Sequence, residues 1–404
     1  MNEHYSADSI FTFPTWKDER REITRGRITL ILFGFICILV IFCFFQIKVD
    51  FASFWILRLR NHPQLNLPYA ATLAFILFLI FVHLEPFLFL KVQRYTIPAK
   101  RLQNIPSIRI AHISDTHIHY PYPHVTFKKM KQIVEIINNE KVDFVVFTGD
   151  LISDNSKYAY TKDISCLTSA LSLLKMPLFV CLGNHDVACR SQIVRSLRSI
   201  TTIPVTVLEQ ETVEFVIPSN SNNIISSNSE NLQTNAKSNS INLVNQEPSK
   251  TNSDYIYNSG TKSNSDRNKK IYISGIKPSL ILSQTNEYID QIKTQFNGDP
   301  NLCHILLAHM PDAADAAAAS GLFDVQFSGH SHGGQCVLPF NAGTPILPPG
   351  SLKYHGCVEP NYRVGEMVLT VSRGVGVTPL PYPLIRFLCP PEISIVTLVS
   401  PTLL

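Results

Sequence analysis

Five short apolar runs, each ending in residues able to bind or transfer charge, constrain this chain more than any other feature of its 404 residues. IRIAHIS (108–114) stops at Asp115, with His117 two positions on, and VDFVVFTG stops at Asp150. PLFVCLG leads into Asn184, His185 and Asp186, CHILLA into His309, and FDVQFSG into His330 and then His332. Runs of this length, rich in Val, Ile and Phe, read as strands buried on both faces. Phe127 to Asn139 carries Met130, Ile133, Ile136 and Ile137 at helical spacing, and Ala313 to Ala319 is Ala-rich. The pattern predicts a layered α/β fold with its site at the strand ends. VTVLEQETVEFVI reads as a β-hairpin ahead of a further strand, KIYISGI.

Seven of these residues, Asp115, His117, Asp150, Asn184, His309, His330 and His332, comprise two carboxylates, an amide and four imidazoles, with no thiolate. Such a donor set suits Mn²⁺, Fe or Zn²⁺ better than Ca²⁺. A single Asp-x-His pair arises by chance about once in a chain this long, whereas GNHD followed by GHSHGG is far rarer. In this order the motifs resemble the calcineurin-like metallophosphoesterase superfamily, from about Ile108 to the C-terminus. The resemblance implies a four-layer β-sandwich flanked by helices and two divalent metal ions, manganese first among the choices. It implies that Asp150 bridges the ions, that Asp115, His117 and His332 complete one, and that Asn184, His309 and His330 complete the other. His185 is expected to act on the scissile phosphate as general acid or charge stabiliser. Its acidic partner in the family often lies three residues after the bridging carboxylate, where this chain has Ser153; Asp154 and Asp186 are the alternatives. Gly329, Gly333 and Gly334 are expected to let backbone approach the last ligands closely. His112, His119 and His124 are given no part in the site.

The N-terminal third has a different character. Charged residues are only 16% of the chain, and the mean hydropathy is positive. Residues 28–45 are apolar apart from Thr29, enough helix to span about 27 Å. A second apolar stretch, 67–90, is interrupted by His83, Glu85 and Pro86. Residues 1–104 therefore read as a membrane anchor of one or two transmembrane helices, and 105–404 as the phosphoesterase domain. Arg20, Arg21, Arg25 and Arg27 precede the first span, and Lys91, Arg94, Lys100 and Arg101 follow the second. These flanks predict a cytoplasmic N-terminus; two spans, the expected number, return the catalytic domain to the cytoplasm, and one would leave it outside. Nine scattered cysteines without a CxxC pair fit a reducing compartment. Asn and Ser fill 25 of the 51 positions in 218–268, which predicts a disordered surface insertion.

A net charge of +4 without a polybasic block excludes nucleic acid as the expected partner. LISDN after Asp150 departs from the Asp-Arg-Gly of protein phosphatases in the superfamily. SRGVGV and the following LPYPLIRF resemble the bacterial membrane-associated branch instead. That branch includes chlamydial-type enzymes cleaving the pyrophosphate of UDP-2,3-diacylglucosamine in lipid A synthesis. A lipid-linked phosphoester is thus the expected substrate and the bilayer the expected partner, with LPYPLIRF either touching acyl chains or part of the core. The alternatives are a phosphodiesterase of soluble nucleotides and a non-catalytic membrane scaffold.

Overall fold

The computed structural model describes residues 72–78, 80–81, 84, 89–102, 105, 107–118, 125–153, 164–217, 241–243, 270–279, 281–337, 353–354, 356, 360–378 and 386–401. Two sheets stack face to face. The first contains β1 (Lys91–Pro98), β2 (Ser107–Ile113), β3 (Phe144–Thr148), β4 (Leu178–Cys181), β5 (Val205–Val207) and β13 (Glu392–Val399), in the order β1-β13-β2-β3-β4-β5. The second contains β6 (Glu211–Val216), β7 (Ile241–Leu243), β8 (Lys270–Gly275), β9 (His304–Leu307), β10 (Val325–Ser328), β11 (Asn361–Val364) and β12 (Met367–Val371), in the order β11-β12-β10-β9-β8-β6-β7.

Period-two alternation sorts the side chains of each strand. In β3, Phe144 and Val146 enter the core between the sheets, while Val145 and Phe147 face the outer helices. Phe144, Phe179 and Phe215 join the sheets edge-to-face, with ring centroids 5.2–5.5 Å apart. Helices α1 (Phe127–Asn139), α2 (Ser165–Leu171) and α3 (Arg190–Arg198) cover the first sheet. Helices α4 (Leu282–Gln295) and α5 (Ala314–Ser320) cover the second. α1 begins where the Thr126 side chain accepts from the Lys129 amide, satisfying one of the amides a helix start leaves open. The result is the helix–sheet–sheet–helix layering expected from the sequence.

Three expectations need correction. The hairpin does not form: β5 pairs in parallel with β4, and β6 pairs antiparallel with β8, so the chain crosses between sheets at Leu208–Gln210. The folded domain begins near residue 90, not 105, because Lys91–Pro98 pairs with β13 along its whole length and sends Tyr95 and Ile97 into the inter-sheet core. The basic residues after the second apolar stretch also have partners in the domain. Arg94 pairs with Glu140, Lys100 with Glu366 and Arg101 with Asp324, so these charges no longer distinguish one membrane topology from the other.

Among the described residues no helix is long and apolar enough to cross a membrane. The first expected span, 28–45, lies outside them. Of the second, 72–78, 80–81 and 84 are helical. Phe75, Ile76, Ile80 and Leu84 stay exposed there, and Phe78 meets Phe387 edge-on at 5.3 Å. Within the expected insertion, Ile241–Leu243 forms an edge strand on β6; the remainder of 218–268 lies outside the described residues.

Candidate metal centre

β2, β3 and β4 run parallel in the first sheet, and β9 and β10 run parallel in the second. All five deliver their following loops to one end of the sandwich. Asp115, His117, Asp150, His330 and His332 all hold positive φ, between 42° and 67°. That region is costly for residues with a side chain, and its concentration here marks a site held by its surroundings. The close packing depends on missing side chains. A Cβ on Gly329 would lie 1.9 Å from Ser114 Oγ and 2.2 Å from Asp115 Oδ2.

Six of the seven expected ligands form two groups, Asp115 with His117 and His332, and Asp150 with His309 and His330. In the first, the Nε2 atoms of His117 and His332 are 2.9 Å apart, and Asp115 Oδ1 is 3.3 Å from His332 Nε2 and 3.9 Å from His117 Nε2. In the second, His309 Nε2 approaches Asp150 Oδ2 to 3.1 Å, in ion-pair contact without the geometry of a hydrogen bond. The same Oδ2 lies 3.4 Å from His117 Nε2. One carboxylate oxygen of Asp150 therefore faces both groups. The backbone amides tie them further: His185 donates to Asp150 Oδ1 at 2.9 Å, and His330 donates to Asp115 at 3.1 Å.

This arrangement suits divalent cations. Ligand atoms about 2.0–2.2 Å from a metal lie about 3.0–3.6 Å from one another, close to the 2.9–3.9 Å separations of the first group. The seventh expected ligand, Asn184, has a buried Oδ1 without a hydrogen-bond partner. A buried amide oxygen in that state is costly unless something else engages it.

The electrostatics agree with the geometry. Burial alone would raise Asp115 and Asp150, yet His332 and His309 respectively hold them below the usual carboxylate range. Burial holds His117 well below its ordinary value, and lowers His330 to about 4, helped by His309. His309 goes the other way, to about 9, because Asp150 outweighs burial. Its Nδ1 donates to the Thr148 carbonyl at 2.6 Å, which leaves Nε2 to face Asp150.

His185, half-exposed, places its ring edge-on to His117 at 5.1 Å. Asp186, a candidate acidic partner, has both oxygens accepting backbone amides, from Gly183 at 2.8 Å and Ile152 at 3.2 Å. Ser153, at the family's acidic position, lies instead with its Oγ 3.3 Å from His117 Nδ1. Asp154, His119 and His124 lie outside the described residues. His112, given no part, supports the site indirectly: its Nε2 is 2.8 Å from Thr148 Oγ1, in the residue whose carbonyl fixes His309. Sequence reading also missed Arg386, fully buried behind His332.

The calcineurin-like phosphoesterase family matches residues 108–334. The chain is 27% identical over 322 residues to YkuE, a metallophosphoesterase of Bacillus subtilis described as uncharacterized, covering 79% of this chain and 88% of that one. It is 29% identical over 326 residues to LpxG of Chlamydia muridarum, a UDP-2,3-diacylglucosamine pyrophosphatase, covering 78% and 90%. Among solved structures, a dimetal phosphatase from Danio rerio aligns over 67% of this chain and 88% of its own, at 10% identity and a TM-score of 0.33.

Proposed function

Since the chain belongs to the calcineurin-like phosphoesterase family and is thereby a metal-dependent phosphoester hydrolase, we propose that it cleaves the pyrophosphate of a membrane-borne nucleotide lipid, UDP-2,3-diacylglucosamine. The observation that carries the hydrolytic reading is Asp150 Oδ2, set between His117 Nε2 at 3.4 Å and His309 Nε2 at 3.1 Å. The substrate rests on the 29% identity to LpxG, which extends over 90% of that protein.

Asp115, His117 and His332 would hold one divalent ion, Asn184, His309 and His330 the other, with Asp150 shared. Two such ions, manganese first among the candidates, would acidify water and offset charge on the phosphoryl oxygens. The residues prepare for this. The Thr148 carbonyl fixes the His309 tautomer, as second-shell partners of metal-binding imidazoles commonly do. The His185 amide orients Asp150 through Oδ1, leaving Oδ2 to the two groups. The half-exposed His185 ring can meet the leaving group and carry its proton.

The apolar stretches 28–45 and 67–90 anchor the domain to a bacterial inner membrane. The arginines before the first keep the N-terminus in the cytoplasm, and two spans bring the catalytic domain back to that side. Anchoring raises the effective concentration of the site near lipid headgroups. Exposed Phe75, Ile76, Ile80 and Leu84 support lipid contact there.

The test is release of UMP from UDP-2,3-diacylglucosamine by the purified full-length chain with Mn²⁺, with Asp150→Asn as control. UMP release from the wild type alone is the expected result. Hydrolysis of soluble nucleotides with no UMP from the lipid would overturn the substrate. No hydrolysis of any phosphoester by the wild type would revive the scaffold alternative.

A further inference from the structure

Arg386 is the largest fully buried side chain among the described residues, at 0% exposure. Its guanidinium lies among backbone carbonyls. Nη2 donates to Arg373 O and Gly376 O, each at 2.7 Å, Nε donates to Gly376 O at 2.9 Å, and Nη1 donates to Cys389 O at 3.1 Å. The cation therefore fastens the loop 373–376 to the segment 386–389. An arginine presents up to five donors in one plane, so a single side chain can hold several carbonyls that would otherwise repel one another.

Each of these two segments supports one residue of the first ligand group. Loop 373–376 packs directly behind Asp115: Val375 donates to Ser114 O at 3.0 Å, and Gly376 donates to Asp115 O at 2.7 Å. A Cβ on Gly374 would lie 2.6 Å from Asp115 Cβ, so the contact leaves no space. Segment 386–389 is bonded to the chain just beyond His332. Phe387 donates to Gln335 O and Val337 to Phe387 O, both at 2.9 Å. Arg386 also reaches His332 itself, with Nη1 3.4 Å from its carbonyl and Nη2 3.4 Å from its Nδ1. Those last contacts are long, so the guanidinium acts chiefly through the backbone.

We propose that Arg386 is a positioning residue for the first metal group, a buried brace that sets the distance between Asp115 and His332 by holding the two backbone segments behind them. It touches no reacting atom. Its loss should widen that group and leave the second intact. The inference rests on the two-ion reading above.

The experiment is calorimetric titration of Mn²⁺ into the metal-stripped full-length chain in detergent, comparing wild type with Arg386→Met and Arg386→Lys. Two binding events are expected for the wild type. Arg386→Met should weaken one by about 10–100-fold, as loss of groups that orient metal ligands does, and leave the other within about threefold. Arg386→Lys keeps the charge but lacks the planar fork, so it should recover only part of the loss. Equal weakening of both events, or of neither, would overturn the brace. A wild type with fewer than two events would instead overturn the two-ion reading. Should Arg386→Met fail to fold, Gly374→Ala presses a methyl group onto Asp115 without removing the buried cation. It must then weaken the same single event, and two unchanged events would reject the proposal.

Discussion

The two ligand groups are built from the same residue types but sit differently in the fold. Asp115, His117 and His332 are all buried, and the segments behind Asp115 and His332 are cross-linked through Arg386. Asp150 and His309 are equally buried, but His330 and Asn184 are half-exposed, and the half-exposed His185 stands alongside. Their charge states differ as well. Burial keeps His117 and His332 below the ordinary histidine value, while Asp150 lifts His309 to about 9. The first group is organised as a closed structural mount. The second, with partly exposed His330 and Asn184, is the more open of the two.

One oxygen of Asp150 faces both groups, so its replacement should erase the difference between them. Asp150→Asn is expected to lower kcat/KM by about 10³-fold, a barrier increase of about 4 kcal/mol, and to reduce bound metal from two ions per chain to one or fewer. Elemental analysis beside steady-state kinetics checks both, and retention of two ions with near wild-type activity would refute the shared role. Asn184→Ala should separate the groups. Removing one amide oxygen from the open group should weaken one ion by roughly tenfold, at the low end of what altered metal shells cost, without changing the other. If the ion that weakens is the one Arg386→Met also weakens, the division into groups is wrong.

The same contrast explains what could be read beforehand. Each ligand follows a buried strand, and short Val-, Ile- and Phe-rich runs ending in Asp, Asn or His are local patterns visible in a single sequence. Arg386 had no such pattern. Its importance comes from carbonyls of residues 373, 376 and 389 meeting in space, and no spacing rule brings them together. β1 was hidden for a related reason: basic residues after an apolar stretch look alike whether they face lipid headgroups or, as Arg94 and Arg101 do, carboxylates of the folded domain. The supposed hairpin failed because alternation identifies strands without saying which sheet accepts them. Val205–Val207 and Glu211–Val216 are both strands, yet in different sheets.

Protonation offers a finer separation of the groups. In the metal-free chain His309 is held at about 9, against about 6.5 when unfolded. Folding therefore strengthens proton binding there. The resulting stabilisation is fully present below about pH 6.5 and is lost as pH rises through about 9. The melting temperature of metal-stripped protein should accordingly fall by a few degrees across that window, and His309→Gln should flatten the fall. Metal binding to the open group must also displace this proton. Near pH 7.5 that event should release about one proton, seen as a calorimetric heat that varies with buffer ionisation enthalpy. The closed group, whose imidazoles are already neutral, should release none. Identical buffer dependence for both events would contradict the charge difference between the groups.

The smallest effect is expected at Ser153, and it tests whether the closed group needs a partner there. Ser153 Oγ lies 3.3 Å from His117 Nδ1 and 3.4 Å from the His117 carbonyl. It can assist His117 only through a neutral hydrogen bond worth about 1 kcal/mol. Ser153→Ala should therefore reduce kcat/KM by less than about fivefold, with metal stoichiometry unchanged. Ser153→Asp should not act as an acidic partner of His185, because this position adjoins His117. An added carboxylate there should instead bind to the His117 edge of the closed group and alter its metal affinity. An increase in kcat with a shifted pH profile, at unchanged metal affinity, would show that position 153 reaches His185 after all.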